Sequence, residues 1–201
     1  MNSIKTAVNR AFTYSEYLEL IKKLLAENKT TGTDHSSGMI NYTKLNLSRM
    51  EKWNKIGQLL PEWEKLKNIK NQTWWLITEA WCGDASQIVP FIAKIAENYP
   101  RIELKIILRD ENQSVMNQYL TDGNQAIPIL VAIEYNHEHN TEKELFVWGP
   151  RPQNAQNLVK EWKKNPNNRT KEQLYEEMHT WYAHDKGTNI QQELFSKVSS
   201  N

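Results

Sequence analysis

Four large apolar residues in a row, Trp74-Trp75-Leu76-Ile77, leave this chain few ways to fold. A run of that kind cannot lie on one face of a half-exposed element, so it reads as a buried strand. From Gly83 the pattern changes: Ile88, Phe91, Ile92, Ile95 and Ala96 recur at spacings of three and four, which is one face of a helix. A second apolar run, Ile102 to Leu108, follows. Strand, helix and strand in that order make a right-handed crossover, so the two strands pair in parallel. The lone cysteine, Cys82, stands where the first strand gives way to the helix.

The pattern predicts a strand over 73–79, a helix over 83–98 and a strand over 102–108, then a helix over 111–120, strands over 129–135 and 143–148, and a helix over 152–164. The polar segment Asn136 to Glu142 suits a hairpin, which makes the last two strands antiparallel. The fold class is α/β: a mixed four-stranded central sheet flanked by helices. Helical patterns lie outside it too, over 13–28, 42–69, 170–182 and 189–198. We therefore expect an N-terminal helical extension over 1–70, a core over 71–165 and a C-terminal helical extension over 166–201.

A sulfur at a strand-to-helix junction has particular chemistry. The first N–H groups of a helix lack partners within it and carry partial positive charge, which favours a thiolate over a thiol. Such sites lower a cysteine pKa from roughly 8.5 to between about 3.5 and 7.5. Asp84 works against this, because its negative charge raises the pKa of its neighbour. The bland reading of Cys82 is a small buried apolar filler.

Trp81-Cys82-Gly83-Asp84-Ala85, after an apolar strand and opening a helix, resembles the active-site loop of the thioredoxin superfamily, whose usual motif is Trp-Cys-Gly-Pro-Cys. Pro90 falls where thioredoxin-like helices often carry a kink-forming proline, and Ile127-Pro128 resembles the family's cis-proline, which lies against the active-site sulfur. Asp110 and Asn112 resemble the Asp-x-Asn that often follows the second core strand. Trp-Cys-Gly-Asp-Ala together with Trp148-Gly149-Pro150-Arg151-Pro152 is similar to a bacterial subgroup of thioredoxin-like proteins. The likeness spans roughly residues 52 to 165. It departs from the family at Ala85, where the resolving cysteine would stand, and at Leu76, where two-cysteine thioredoxins bury an acid. With one cysteine an intramolecular disulfide is impossible, so the chain cannot alone complete a reduce-and-release cycle.

The resemblance implies a thioredoxin-like, single-thiol protein that takes part in thiol–disulfide exchange or cell redox homeostasis. Its partner would be a protein or low-molecular-weight thiol or disulfide, with no cofactor and no metal. Cys82 would be the nucleophile. The amides around Gly83 and Asp84 would stabilise its thiolate, Ile127 and Pro128 would position the incoming disulfide, and Trp81 would shield one side. Arg151, after the last strand, could hold an anionic partner or the thiolate. The expectation is a sulfur that is exposed and partly ionised near neutrality. Oxidation to sulfenic acid is a second redox form. The contrasting reading is a redox-inactive thioredoxin-fold binding or scaffold module.

Composition narrows the remaining classes. Lys and Arg number 25 against 24 Asp and Glu, a net charge of +1, which argues against nucleic acid as main partner. A mean hydropathy of -0.74 and the lack of an 18-residue apolar run argue against a membrane span. The opening MNSIKTAVNRAF has no apolar stretch long enough for a secretory signal, and one cysteine fits a reducing compartment, so a cytoplasmic location is expected. His35, His137 and His139 read as solvated loop residues, and His179 and His184, five apart, as structural ones. Oligomeric state is left open.

Overall fold

The computed structural model describes residues 4–8, 10–66, 69–136 and 141–201. In chain order the elements are α1 (Ile4–Ala7), α2 (Tyr14–Ala26), α3 (Ser37–Ile56), a 3-10 turn (Pro61–Lys65), β1 (Gln72–Thr78), α4 (Gly83–Asn98), β2 (Ile102–Leu108) and α5 (Gln113–Met116). Then come β3 (Ile129–Asn136), β4 (Thr141–Trp148), α6 (Gln153–Lys164), α7 (Lys171–Asp185) and α8 (Thr188–Ser199).

The sheet has the order β2-β1-β3-β4, with β1 parallel to β2 and antiparallel to β3, and β4 antiparallel to β3. Every residue of β1 is buried, as its unbroken apolar run requires. That register gathers three loops at one edge. Ile77 pairs with Ile129, so the chain leaving β1 runs beside the chain entering β3. Leu130 pairs with Trp148, so the segment after β4 arrives at the same place. Cys82, Ile127-Pro128 and Gly149–Arg151 are thus brought together by strand pairing alone. The far edge of the sheet is covered: Phe12 exchanges two backbone hydrogen bonds of 2.8 Å with Ile106 of β2.

The helices differ from the expected ones in places. The helical stretch over 42–69 divides into α3 and the 3-10 turn that opens at Pro61. α3 starts at Ser37, ahead of the expected residue 42, and stops at Gly57, where a β-carbon would crowd the Trp53 carbonyl and the Phe91 ring. Leu45 and Ile56, large apolar residues of this helix, are exposed. The helix expected over 111–120 shrinks to the four residues of α5, and α1 was not expected at all. His137 and His139 lie outside the described residues.

α4 is the central helix. Residues 85–93 are all buried, including Pro90 within the helix, because α3 packs along it and α8 also touches it. Trp53 of α3 meets Phe91 of α4 at 5.3 Å between ring centroids. Residues from both ends of the chain, among them Tyr17, Met50, Tyr182 and Leu194, share one apolar core with the sheet. Among the described residues no helix is long and apolar enough to cross a membrane.

Candidate functional site

Cys82 is the N-cap of α4. Its sulfur accepts from the Ala85 N–H at 3.5 Å, and its thiol donates to the Ile127 carbonyl at 3.4 Å. The bond between Ile127 and Pro128 is cis, as expected, and so is that between Gly149 and Pro150, which was not. Gly149 has φ +124, and a β-carbon on it would run into the Pro128 carbonyl, so the two proline loops touch only because this residue is glycine.

The sulfur is not exposed, contrary to expectation: Cys82 is 8% accessible. Burial pushes its thiol up to about 12, and the Asp84 charge adds to the rise. The Ala85 amide and the Arg151 guanidinium pull the other way and do not prevail. The helix terminus is present, but desolvation outweighs it. At rest the group is a thiol.

Asp84 and Arg151 meet at this mouth. Arg151 Nη2 stands 2.6 Å from Asp84 Oδ2, and its Nη1 donates to Gln156 Oε1 at 3.2 Å. Its Nε is buried and has no partner among the described residues. The Tyr182 hydroxyl donates to Asp84 Oδ1 at 2.8 Å. Trp81 is half-buried, with the Arg109 guanidinium 4.7 Å from its ring centroid. Gly83 lies beneath Tyr42 and His179, and a β-carbon there would strike the Tyr42 hydroxyl. His179 hydrogen-bonds Tyr42 at 3.1 Å and Gln87 at 3.3 Å.

The loop before Cys82 is fastened by the N-terminal segment. The Ala80 N–H donates to the Thr31 hydroxyl at 2.9 Å, and the Ala80 carbonyl accepts from Asn46 Nδ2 at 3.0 Å. Glu79 is fully buried. Its Oε1 accepts from the Asp110 N–H at 2.9 Å, while its Oε2 has no partner among the described residues. Burial raises this carboxyl to about 7. Asn112, expected to matter through the Asp-x-Asn resemblance, is buried and donates to the Leu108 carbonyl at 2.8 Å.

A thioredoxin family model matches residues 32–163. The chain belongs to the thioredoxin family. The match starts well before residue 52, so α3 falls within the thioredoxin part of the chain. No curated protein matches. Two solved structures share the fold. A protein of unknown function from Pseudomonas aeruginosa has a TM-score of 0.54 at 16% identity, covering 94% of this chain and 98% of that one. An HIV epitope scaffold has a TM-score of 0.53 at 14% identity, covering 94% and 99%.

Strand pairing in this thioredoxin fold brings Trp81, Cys82, Gly83, Asp84, Ile127, Pro128 and Arg151 to one edge. Sequence reasoning missed Tyr42, Glu79, His179 and Tyr182. Glu79 alone carried a signal: an acid between the buried run Trp74–Thr78 and buried Ala80 has little access to water. The other three arrive from distant helices, and their spacing says nothing about Cys82. His35 is exposed and stands apart, its Nδ1 facing the Thr30 N–H at 3.4 Å. His184 is exposed.

Proposed function

We propose that this thioredoxin-family protein exchanges its single thiol, Cys82, with the disulfide of a low-molecular-weight thiol or a protein, in the reducing cytoplasm. The observation that carries the reading is the seat of the sulfur. It lies at the loop edge, hydrogen-bonded to Ala85 and to the Ile127 carbonyl ahead of Pro128, and feels the charge of Arg151, whose Nε has no partner among the described residues. A buried N–H donor without a partner suits an anion that arrives with the reaction, such as a thiolate or a carboxylate carried by the substrate. Release of the mixed disulfide then requires an external thiol, since Ala85 offers none.

The test is to incubate the native protein with a small disulfide between about pH 5 and 9 and locate adducts by mass spectrometry, with Cys82→Ser as blank. A Cys82 adduct whose rate climbs across the range is expected, because the resting group is a thiol. Reaction only after unfolding would overturn the proposal. It would favour the second reading, a redox-inactive binding module, to which the 8% exposure of Cys82 lends support.

A further inference from the structure

The charges around the Cys82 loop offset one another except at one residue. Asp84 is paired with Arg151 at 2.6 Å, and Asp110 with Arg109 at 2.7 Å. Burial keeps a proton on Glu79 up to about pH 7 and holds the His179 imidazole down at about 4, so near neutrality neither carries a full charge. Arg49 of α3 forms no ion pair among the described residues.

The Arg49 guanidinium is tied to both flanks of the cysteine. Nη1 donates to Asn46 Oδ1 at 3.0 Å, and Asn46 Nδ2 holds the Ala80 carbonyl, two residues ahead of the sulfur. On the other flank Tyr42 and His179 lie over Gly83, the residue after the sulfur. The guanidinium carbon stands 5.7 Å from the Tyr42 ring centroid. Burial raises the Tyr42 phenol and lowers the His179 imidazole, and after burial Arg49 is the next influence on both. The bond to Asn46 leaves most of the guanidinium's N–H donors over, in a planar fork that matches a carboxylate. One unbalanced positive charge calls for one negative charge, which a carboxylate supplies and a phosphate monoester exceeds. The covered mouth, with Cys82 only 8% accessible, favours a slim chain over a folded partner.

We propose that Arg49 is a specificity-determining residue of the Cys82 site, selecting low-molecular-weight disulfides that carry a carboxylate near the sulfur. The proposal rests on the exchange reading above. In that exchange Cys82 gives its proton to solvent and its sulfur attacks a disulfide RS–SR′. The Cys82–S–S–R bond forms, the RS–SR′ bond breaks, and R′S leaves with the electron pair and takes up a proton. Cys82 is oxidised and R′S is reduced. Arg49 takes no part in these bond changes. Its charge draws in and orients the anionic disulfide and disfavours a cationic one.

Two dialkyl disulfides of opposite charge test this: dithiodipropionate, which is anionic, and cystamine, which is cationic. Mixed-disulfide formation at Cys82 of the native protein is timed by mass spectrometry at neutral pH, and each probe is compared with itself across variants, so that intrinsic reactivity cancels. The ratio of the dithiodipropionate rate to the cystamine rate should fall by about five-fold or more in Arg49→Gln. Arg49→Lys, which keeps the charge, should lower it less. Added salt should shrink the wild-type ratio more than that of Arg49→Gln. A loop merely disturbed by the substitution would change both rates together and leave the ratio as it was. A ratio that Arg49→Gln leaves unchanged, or that Arg49→Lys lowers as far, would overturn the proposal. A wild-type protein inert to both probes would instead remove the exchange reading and this proposal with it, a result distinct from an unchanged ratio.

Discussion

Tyr182 of α7 donates a hydrogen bond of 2.8 Å to Asp84 in the first turn of α4, ninety-eight residues away in sequence. That contact, with His179 beside Gly83, lays a C-terminal helix across the mouth of the cysteine loop. It makes α7 part of the reason that Cys82 is shielded. Removing the hydroxyl with Tyr182→Phe should cost about 1.5–3 kcal/mol, the value of a hydrogen bond to a charged group. It should also speed alkylation of Cys82 by iodoacetamide in the native protein. Thermal unfolding and timed mass spectrometry check the two effects.

Asp84→Asn removes the second-largest influence holding the Cys82 thiol up and leaves the Arg151 charge facing the sulfur. The thiol pKa should fall, by about 1–3 units given a neighbouring charge of this kind. Ultraviolet titration of thiolate absorbance reads this directly. Arg151→Leu should move the pKa upward instead, and leave Asp84 with Tyr182 as its remaining partner.

Glu79 makes stability depend on pH in a defined direction. In the folded protein its carboxyl keeps a proton up to about pH 7, against 4.5 for the ordinary group. Between those values the folded state binds more protons than the unfolded state, so this group's contribution to stability falls as pH rises and levels off above the folded pKa. Glu79→Gln should abolish that slope. At about pH 8 it should be the more stable protein by up to about 3 kcal/mol, as judged by urea unfolding at several pH values.

Gly83→Ala places a methyl group against the Tyr42 hydroxyl and 3.2 Å from His179 Cε1. Overpacking of this sort costs about 1–3 kcal/mol. In a Tyr42→Phe background the nearest obstructing atom is gone, so the same change should cost less. A double-mutant cycle by chemical denaturation measures the coupling, which is expected to be at least about 0.5 kcal/mol.

The sheet and the core of the site are legible in the sequence because both follow from local pattern. Trp74 to Ile77 reads as a buried strand and Ile102 to Leu108 as a partly buried one, the helix between them makes them parallel, and the registers then bring Pro128 and Arg151 to Cys82. The ionisation of Cys82 is not legible. A helix terminus can be read from spacing, but the burial that overrides it is tertiary: a helical period marks Tyr182 as buried without saying that it meets Asp84 beside Cys82. The helix limits fail where tertiary contact decides them: Gly57 ends α3 against Phe91, and α5 stops after a single turn. Leu45, on a helical period yet exposed, shows that spacing identifies a face without identifying what covers it.

The clamp on Ala80 has a practical consequence. A fragment beginning at residue 71 would keep the whole sheet and the cysteine, yet it would lose Thr31 and Asn46, and with them both anchors of the peptide units just ahead of the sulfur. Trimming the leader would not uncover an independent unit. It would leave the cysteine loop without its fastenings.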